Sequence, residues 1–246
     1  MTAPHLIWYL TEPTRAVVDL GRFATTRALL RSAPTGDGHT VLVLPGLAGT
    51  DLTTTVLRRF LVGLGYDVHG WGLGWNLGPS EPALRGMREL LGRLAARAPV
   101  SLVGWSLGGI FARELARERP ELVRQVVTLG SPYRLTDLRD TRVNPLYRFL
   151  ARLSSAVVAP PPAEAGRPPF PVPATSLYSK SDGIVPWRSC REEPGGHGES
   201  VEVVCSHLGY AHNPAVLWAV ADRLAQPAGG WRPFVPPAGL AGMYPR

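Results

Sequence analysis

The stretch VSLVGWSLGGIFA, residues 100–112, decides the fold, because it passes from an apolar strand to a helix within a few residues. Ser106 lies at the change, and Gly104 and Gly108 stand two residues to either side of it. A serine between such glycines sits on a turn so sharp that its backbone is strained, and the glycines let neighbouring backbone approach. The pattern predicts that Ser106 Oγ is exposed at the carboxyl end of a strand and is a nucleophile.

The helix that follows the serine supplies hydrogen-bond donors. Its free N–H groups and the positive end of its dipole point to the place where negative charge would develop on a substrate oxygen. The N–H of Leu107 is one donor, and an oxyanion in a dry site needs a second. The stretch VLVLPGLAGTD, residues 41–51, predicts that second donor, because a Pro-Gly turn after Leu44 brings the N–H of Leu47 to the same place. The alternative is an ordinary loop that uses proline and glycine for turning.

A serine hydroxyl needs a general base to attack at neutral pH, and the chain has six histidines. His207 directly follows the last predicted strand, residues 201–204, and precedes the final predicted helix. That place suits a base on a loop at the strand ends, and His212, five residues further on, is the alternative. The others lie in the N-terminal arm, before or within a strand, or in a glycine-rich loop of unknown position: His5, His39, His69 and His197.

The base in turn needs a carboxylate that orients its ring and stabilises the imidazolium ion. In SLYSKSDGIVPW, residues 176–187, Asp182 comes just after a predicted strand, in a turn closed by Gly183. Its place between the serine and the histidine is the chain order expected of a strand–turn–helix serine site. The alternatives are an aspartate that only caps the turn, and Glu192 or Glu193 as the acid.

Short β-branched or leucine-rich runs alternate with longer segments of helical period along most of the chain. Such alternation predicts an α/β fold with a mostly parallel central sheet flanked by helices. The predicted strands are 40–44, 67–71, 100–103, 125–129, 174–178 and 201–204. The predicted helices are 52–64, 80–96, 107–117 and 214–224, with Ser80 as an N-cap and Pro82 in the first turn.

Two segments fall outside this alternation. Residues 14–30 have helical spacing and are expected to pack on the sheet. Residues 133–173 form an insertion with a helix-like part at 146–158 and a proline-rich run, and we expect a small cap or lid over a pocket. The apolar stripe of that helix is either ordinary packing or the roof of an acyl pocket, and tryptophans near strand ends either line the pocket or belong to the core. The expected pocket residues are Trp75, Trp105, Leu146, Phe149, Leu150 and Trp187.

The length, apolar content and charge of the chain limit the kinds of protein it can be. A chain of 246 residues, 45% of them apolar, can bury a sizeable core in one domain, residues 1–246. The net charge of +7 comes almost wholly from dispersed arginines, which argues against a nucleic-acid partner and allows at most weak attraction to membrane surfaces. The N-terminus is a poor secretory signal, so we expect a cytoplasmic protein in which Cys190 and Cys205 are reduced, a bridge between them being the alternative.

Four motifs in order carry a resemblance: Leu-Pro-Gly-Leu at 44–47, Gly-Trp-Ser-Leu-Gly-Gly at 104–109, Ser-Asp-Gly-Ile-Val-Pro at 181–186 and Ser-His-Leu-Gly at 206–209. Over residues 41–224 the chain resembles the α/β-hydrolase superfamily, in particular compact bacterial esterases and triacylglycerol lipases. It departs from their pattern where Leu-Pro-Gly replaces the more usual His-Gly, and it lacks a predicted antiparallel hairpin at the start of the sheet.

The resemblance implies a Ser106 nucleophile, an Asp182 acid, a His207 base, and the N–H groups of Leu47 and Leu107 as an oxyanion hole. The expected reaction is hydrolysis of a small-molecule ester with a medium-chain or lipid-like acyl group, through an acyl-enzyme. It requires no metal and no cofactor. The alternatives are an acyltransferase that uses the same three residues and a catalytically idle binding protein of the same fold.

Overall fold

The computed structural model describes residues 2–153, 162, 164, 166–193 and 196–245, and for residues 151–153 and 240 it describes the backbone alone. The helices are α1 Leu6–Leu10, α2 Glu12–Thr25, α3 Arg27–Leu30, α4 Thr55–Gly63, α5 Glu81–Leu94, α6 Leu107–Glu118, α7 Asn144–Leu153 and α8 Pro214–Leu224. The strands are β1 Thr40–Leu44, β2 Asp67–Gly70, β3 Val100–Trp105, β4 Val123–Leu129, β5 Ala174–Tyr178 and β6 Gly198–Glu202.

The six strands form one sheet in the order β2-β1-β3-β4-β5-β6, and every neighbouring pair is parallel. The predicted fold class is therefore confirmed, and in the described residues the sheet contains no antiparallel hairpin. The strand order reverses direction between β1 and β3, and ligands of open α/β sheets bind outside the carboxyl ends of the strands at such a point. Ser106 follows β3 directly, at that edge.

Both faces of the sheet are apolar, as parallel strands covered by helices require. Alternate residues of β1 show the division: Val41 and Val43 face one core with α4 and α8, whereas Leu42 and Leu44 face another with α5 and α6. The helices fit these cores through their own periodic apolar faces. The largest fully buried side chains are Trp71, Tyr210, Phe111, Leu42, Leu44, Leu57, Leu61, Met87, Leu91, Leu102, Leu129 and Leu177.

The N-terminal segment departs from the predicted single helix over 14–30. It forms three short helices, α1 to α3, that break at Thr11 and Thr26. The buried side chains of α2 are Glu12 and Asp19, which contact loops at the strand ends. The expected packing is found towards the end of the segment, where Phe23, Leu29 and Leu30 contact the apolar core on one face of the sheet, whereas the two carboxylates find their hydrogen-bond donors in the loops.

Other helices and strands begin or end a few residues away from their predicted limits. Helix α4 is preceded by a 3₁₀ turn, Asp51–Thr54, and β6 lies at Gly198–Glu202 instead of 201–204 because its register follows β5. The described part of the predicted 146–158 helix is α7, which begins at Asn144, and residues 154–158 lie outside the described residues. Cys190 and Cys205 are buried free thiols. Among the described residues no helix is long and apolar enough to cross a membrane.

Candidate active site

Ser106 occupies the turn between β3 and α6 in a strained conformation. Its φ is 53° and its ψ is −119°, a region that residues other than glycine rarely adopt. The flanking glycines are needed sterically: a Cβ on Gly104 would lie 2.4 Å from the Gly108 carbonyl oxygen, and one on Gly108 would lie 2.4 Å from the Leu44 carbonyl oxygen. The N–H of Ser106 is held by the carbonyl of Leu129 at 2.8 Å. The turn therefore exists because the backbones of β1, β3 and α6 pack without side chains between them.

The three side chains predicted from the sequence come together. The Ser106 Oγ lies 3.0 Å from Nε2 of His207, and Nδ1 of His207 lies 2.6 Å from Oδ2 of Asp182. This pairing places the ring proton on Nδ1, which donates to the carboxylate and leaves Nε2 free to accept from the serine hydroxyl. The imidazole is 3% exposed, and the Trp105 indole N–H donates to the backbone carbonyl of His207 at 3.1 Å. His212 lies away from this chain of contacts, with its Nε2 2.9 Å from the Ala16 carbonyl.

Asp182 is fixed by its own turn. Its Oδ1 accepts hydrogen bonds from the N–H groups of Ile184 at 2.8 Å and Val185 at 2.9 Å, so Oδ2 is left for the histidine. The alternative acids pair with other residues: Glu192 pairs with Arg113, and the exposed Glu193 pairs with Arg134. The aspartate therefore both caps the turn and contacts the imidazole, so the two interpretations of this residue are compatible.

The surroundings of His207 stabilise its charged form. Burial alone would lower the pKa of the imidazole, but the negative charge and hydrogen bond of Asp182, with a smaller contribution from Glu12, raise that pKa above its ordinary value. A histidine in this setting takes up a proton more readily than it does in water. The ring can thus store the proton of the serine hydroxyl close to the place where it is needed again.

Leu47 and Leu107, the residues predicted to supply the oxyanion hole, lie beside Ser106. Both residues line the same cavity as the serine, and in the described part of the chain neither N–H has a hydrogen-bond acceptor. Asn76, fully buried, supports the loop of Leu47: its Nδ2 donates to the Pro45 carbonyl at 2.8 Å. This asparagine was missed from the sequence, because nothing local connects it to a loop 31 residues earlier. Asn76 therefore holds the loop in which Leu-Pro-Gly replaces the more usual His-Gly.

A cavity of about 370 Å³ adjoins Ser106. Its floor is the exposed face of α6, and its opposite wall comes from the segment predicted as a cap. The described lining residues are Leu47, Pro79, Ser106, Leu107, Ile110, Glu114, Pro132, Tyr133, Leu135, Thr136, Leu138, Thr141, Val143, Tyr147, Pro162, Glu164, Arg167 and Val185. The lining is mostly apolar near the serine and charged where Glu114 pairs with Arg167.

The six residues predicted for the pocket do not line this cavity, so that prediction was wrong. Helix α7 contributes Tyr147, while its predicted stripe is either buried or turned to solvent. The tryptophans make other contacts or none: the Trp105 indole N–H donates to the His207 carbonyl, Trp75 is exposed, and Trp187 stacks on Tyr178 at 5.6 Å. The residues concerned are Trp75, Trp105, Leu146, Phe149, Leu150 and Trp187.

The cavity wall is tied to α6 by a charged cluster. Arg113, 2% exposed, donates to Glu164 at 2.7 Å and also pairs with Glu192. Its guanidinium lies 3.9 Å from the ring centres of both Tyr133 and Phe170. Stacking and paired charges together compensate the burial of this arginine. Arg113 of α6 therefore contacts the chain both before α7, at Tyr133, and after it, at Glu164 and Phe170.

Two buried carboxylates of α2 join the loops of the site. Glu12 accepts the N–H of Gly183, next to Asp182, at 2.8 Å and the N–H of Leu208, next to His207, at 3.1 Å.

Asp19 holds the histidine loop from the other side. It accepts the N–H and Oγ–H of Ser206 at 3.0 and 2.8 Å and an Nδ2–H of Asn213 at 2.9 Å. Both acids were missed because charged residues on a helix are ordinarily solvent-exposed. Their spacing of seven residues on one helical face was the available signal.

Comparison with curated proteins finds triacylglycerol lipases. The triacylglycerol lipase of Burkholderia plantarii is 28% identical over 174 residues, which are 65% of this chain and 48% of that protein. The triacylglycerol lipase of Pseudarthrobacter phenanthrenivorans is 30% identical over 135 residues, 49% of this chain and 41% of that protein. The chain thus spans about half the length of the curated relatives it matches, or less. No family model matches the chain.

Comparison with solved structures finds α/β-hydrolases. A structure of the metagenome-derived lipolytic enzymes LipS and LipT has a TM-score of 0.55 at 16% identity, covering 78% of this chain and 93% of that one. Lipase B of Aspergillus fumigatus has a TM-score of 0.54 at 17% identity, covering 82% and 58%. A hydrolase of the alpha/beta superfamily from Xanthomonas campestris, described as putative, has a TM-score of 0.50 at 20% identity, covering 76% and 98%. The chain has the α/β-hydrolase fold.

Proposed function

We propose that this chain is a serine hydrolase that cleaves a carboxylic ester through an acyl-enzyme. The observation that carries the proposal is the hydrogen-bonded series from Ser106 to His207 to Asp182 on a strained strand–helix turn, beside two unpaired N–H groups. A strained serine, an oriented base and preorganised donors are what acyl transfer needs. The triacylglycerol lipases among the relatives support ester hydrolysis as the reaction class.

In the first step Ser106 Oγ attacks the acyl carbon while its proton passes to Nε2 of His207. The resulting imidazolium is stabilised by the carboxylate of Asp182, to which its Nδ1–H donates. The carbonyl oxygen becomes an oxyanion, and the N–H groups of Leu47 and Leu107 donate to it. The bond to the leaving oxygen then breaks as His207 returns the proton to that oxygen, so that an alcohol departs and an acyl-serine remains.

In the second step water releases the acid. His207, neutral again, accepts a proton from a water molecule whose oxygen attacks the acyl carbon. The same two N–H groups hold the second oxyanion, and the bond to Ser106 Oγ breaks as His207 returns the proton to the serine. The site is thereby restored, and the products are a carboxylic acid and an alcohol.

The cavity favours an acyl chain of medium length. Three of its lining residues, Leu107, Ile110 and Glu114, lie on one face of α6, so the apolar part runs along the helix from Ser106 to the Glu114–Arg167 ion pair. Eight residues of helix span about 12 Å. An extended alkyl chain advances roughly 1.25 Å per carbon when its C–C bonds are about 1.5 Å long. Roughly nine or ten carbons would therefore fit before the charged end, and we propose residues 133–173 as the cap over them.

The test is hydrolysis of p-nitrophenyl esters from acetate to palmitate by the wild type and by Ser106→Ala. We expect hydrolysis to be fastest near the octanoate and decanoate esters and to be lost in the variant, with unchanged thermal unfolding as a check on its fold. Failure of the folded wild type to hydrolyse any ester, or retention of activity in the variant, would overturn the proposal. Adding alcohols to the assay separates hydrolysis from transfer, because a transferase would form the new ester in preference to the acid.

A further inference from the structure

Helices α1 and α2 present eight large apolar side chains to solvent within residues 6–20. No residue of α1, whose sequence is LIWYL, is buried, and Leu10 is 64% exposed. On α2, Val17 is 70% exposed and Leu20 is 47% exposed. We call this surface the N-terminal apolar face; its members are Leu6, Ile7, Leu10, Val17, Val18 and Leu20, with Trp8 and Tyr9 beside them. Exposed apolar side chains concentrated in this way are typical of a contact with another apolar body.

The orientation of α2 is the reverse of an ordinary amphipathic helix. Surface helices usually bury apolar residues and expose charged ones, whereas α2 buries Glu12 and Asp19 and exposes Val17 and Leu20. The two acids are satisfied by donors from the loops of the active site, so the helix is held in this orientation by its polar face. Val17 and Leu20 therefore remain available at the surface, while Phe23 of the same helix packs against the core.

The charges around the N-terminal apolar face are positive. Residues 2–36 contain only two acids, Glu12 and Asp19, and both are buried. The exposed charged residues that follow the apolar face along α2 and α3 are Arg22, Arg27 and Arg31. Beside α1, Arg188 borders a cavity together with residues of the N-terminal segment, whereas the charge of Lys180 on the same cavity is paired with Glu202. The surface is thus an apolar centre with a cationic margin.

We propose that the N-terminal apolar face docks on an anionic phospholipid surface. Apolar residues that enter the headgroup boundary, amphipathic aromatic side chains at its edge and arginines that attract anionic lipids are the three elements of such a site. A second copy of this chain fits less well, because pairing the same face would bring the cationic margins together.

Docking would bring the candidate active site to the lipid surface. Helix α1 lies directly on the turn of Asp182, since a Cβ on Gly183 would be 2.4 Å from the backbone carbonyl of Trp8. Arg142, which lies within the cavity wall between Thr141 and Val143, donates to the Pro4 carbonyl at 2.9 Å. The surface and the wall are therefore neighbours. The docking itself does not depend on the proposed hydrolysis and is measured without it.

The test is co-sedimentation of the full chain with vesicles of phosphatidylcholine alone and with vesicles containing equal parts of phosphatidylglycerol. We expect binding to the anionic vesicles only. Arg27→Gln with Arg31→Gln should weaken it by about 25-fold, at about fivefold for each arginine near such a surface. Leu10→Ser with Val17→Ser should weaken it by at least about tenfold through lost apolar burial. The matched control is Val62→Ser with Val235→Ser, two side chains that are 56% and 76% exposed elsewhere, and it should bind as the wild type does.

Several results would overturn the proposal. They are no binding to anionic vesicles, equal binding to both vesicles, or undiminished binding by either test variant. A wild-type dimer that Leu10→Ser with Val17→Ser converts to a monomer, without vesicle binding, would assign the face to self-association instead. Thermal unfolding identifies a variant that fails to fold, and the arginine pair, which leaves every side chain of the N-terminal apolar face unchanged, then decides. Hydrolysis of a soluble ester should be unchanged in all three double variants. Because co-sedimentation measures binding without hydrolysis, a failure of the proposed enzyme activity leaves the docking result intact.

Discussion

Replacement of Glu12 by alanine should destabilise the loops that carry Asp182 and His207, although Glu12 does not line the cavity. The change leaves the N–H groups of Gly183 and Leu208 without their acceptor, whereas Arg15 keeps the carbonyls of Trp8 and Ser181. A buried donor left unpaired costs about 1–3 kcal/mol, and with one donor buried and one near the surface the sum is about 3 kcal/mol. In a chain of this size that loss lowers Tm by about 6–12 °C.

The kinetic consequence should fall on kcat. Glu12 ties the turn of Asp182 to the loop of His207 and does not line the cavity, so its loss displaces the acid and the base but not the acyl chain. A displacement of about 1 Å at reacting groups costs roughly 10²-fold in rate, and we expect a fall of that order in kcat with little change in KM. The assay is steady-state hydrolysis of p-nitrophenyl octanoate, with thermal unfolding in parallel.

Two further variants separate positioning from bulk stability. Glu12→Gln retains an acceptor oxygen and removes a charge that raises the pKa of His207, so kcat should recover in part and the acid limb of the pH profile should move to lower pH. Glu121→Ala, which breaks a surface pair with Arg119, should leave kcat and Tm unchanged. A variant Glu12→Ala that loses stability but keeps the wild-type kcat would show that Glu12 does not position the acid and the base. A variant that keeps both kcat and Tm would show, in addition, that the buried hydrogen bonds of Glu12 do not stabilise the fold.

Three other changes test the site directly. Ser106→Gly should unfold above Ser106→Ala by about 2–4 °C, because relief of about 1–3 kcal/mol of backbone strain exceeds the added chain entropy of glycine, and equal Tm values would contradict the strain. Ile110→Trp should block the cavity one turn beyond Ser106, reducing octanoate hydrolysis while sparing acetate; a uniform loss over the ester series would refute the proposed path of the chain. Since Asp182 raises the pKa of His207, wild-type kcat/KM should fall as the pH drops through that raised value; Asp182→Asn should move this limb to lower pH and reduce kcat by about 10⁴-fold, and an unmoved limb would count against the assignment.

The parts of the site that the sequence predicted are those with short-range causes. The turn at Ser106 depends on glycines two residues away, and Leu107 follows it in the same helix. Asp182 and His207 were predicted from their places after strands, because the carboxyl ends of parallel strands meet at one edge of the sheet. The same reasoning predicted the six strands and their class of fold, since period and turn residues are local properties.

The parts that could not be predicted depend on contacts between distant segments. The cavity wall runs through turns without a period and is held by Arg113, whose partner Glu164 is 51 residues away. Knowing that α7 is amphipathic did not tell which of its faces meets the cavity, and it is Tyr147 that does. Asn76 likewise acts on a loop that is remote in sequence. In each case a polar or aromatic side chain contacts a segment that only the tertiary structure brings near it.

The reversed orientation of α2 follows from the hydrogen-bond needs of the active-site loops. Burying two carboxylates is costly unless each is fully hydrogen-bonded. Asp19 accepts three hydrogen bonds from Ser206 and Asn213, and Glu12 accepts two from the active-site loops and one from Arg15 of its own helix. Turning the helix over would bury Val17 and Leu20, but it would leave the N–H groups of Gly183 and Leu208 unpaired. The demand for acceptors at the acid and histidine loops therefore fixes which face of α2 points inward. The outward apolar face is the physical consequence of that choice, and the proposed lipid contact would compensate for its exposure.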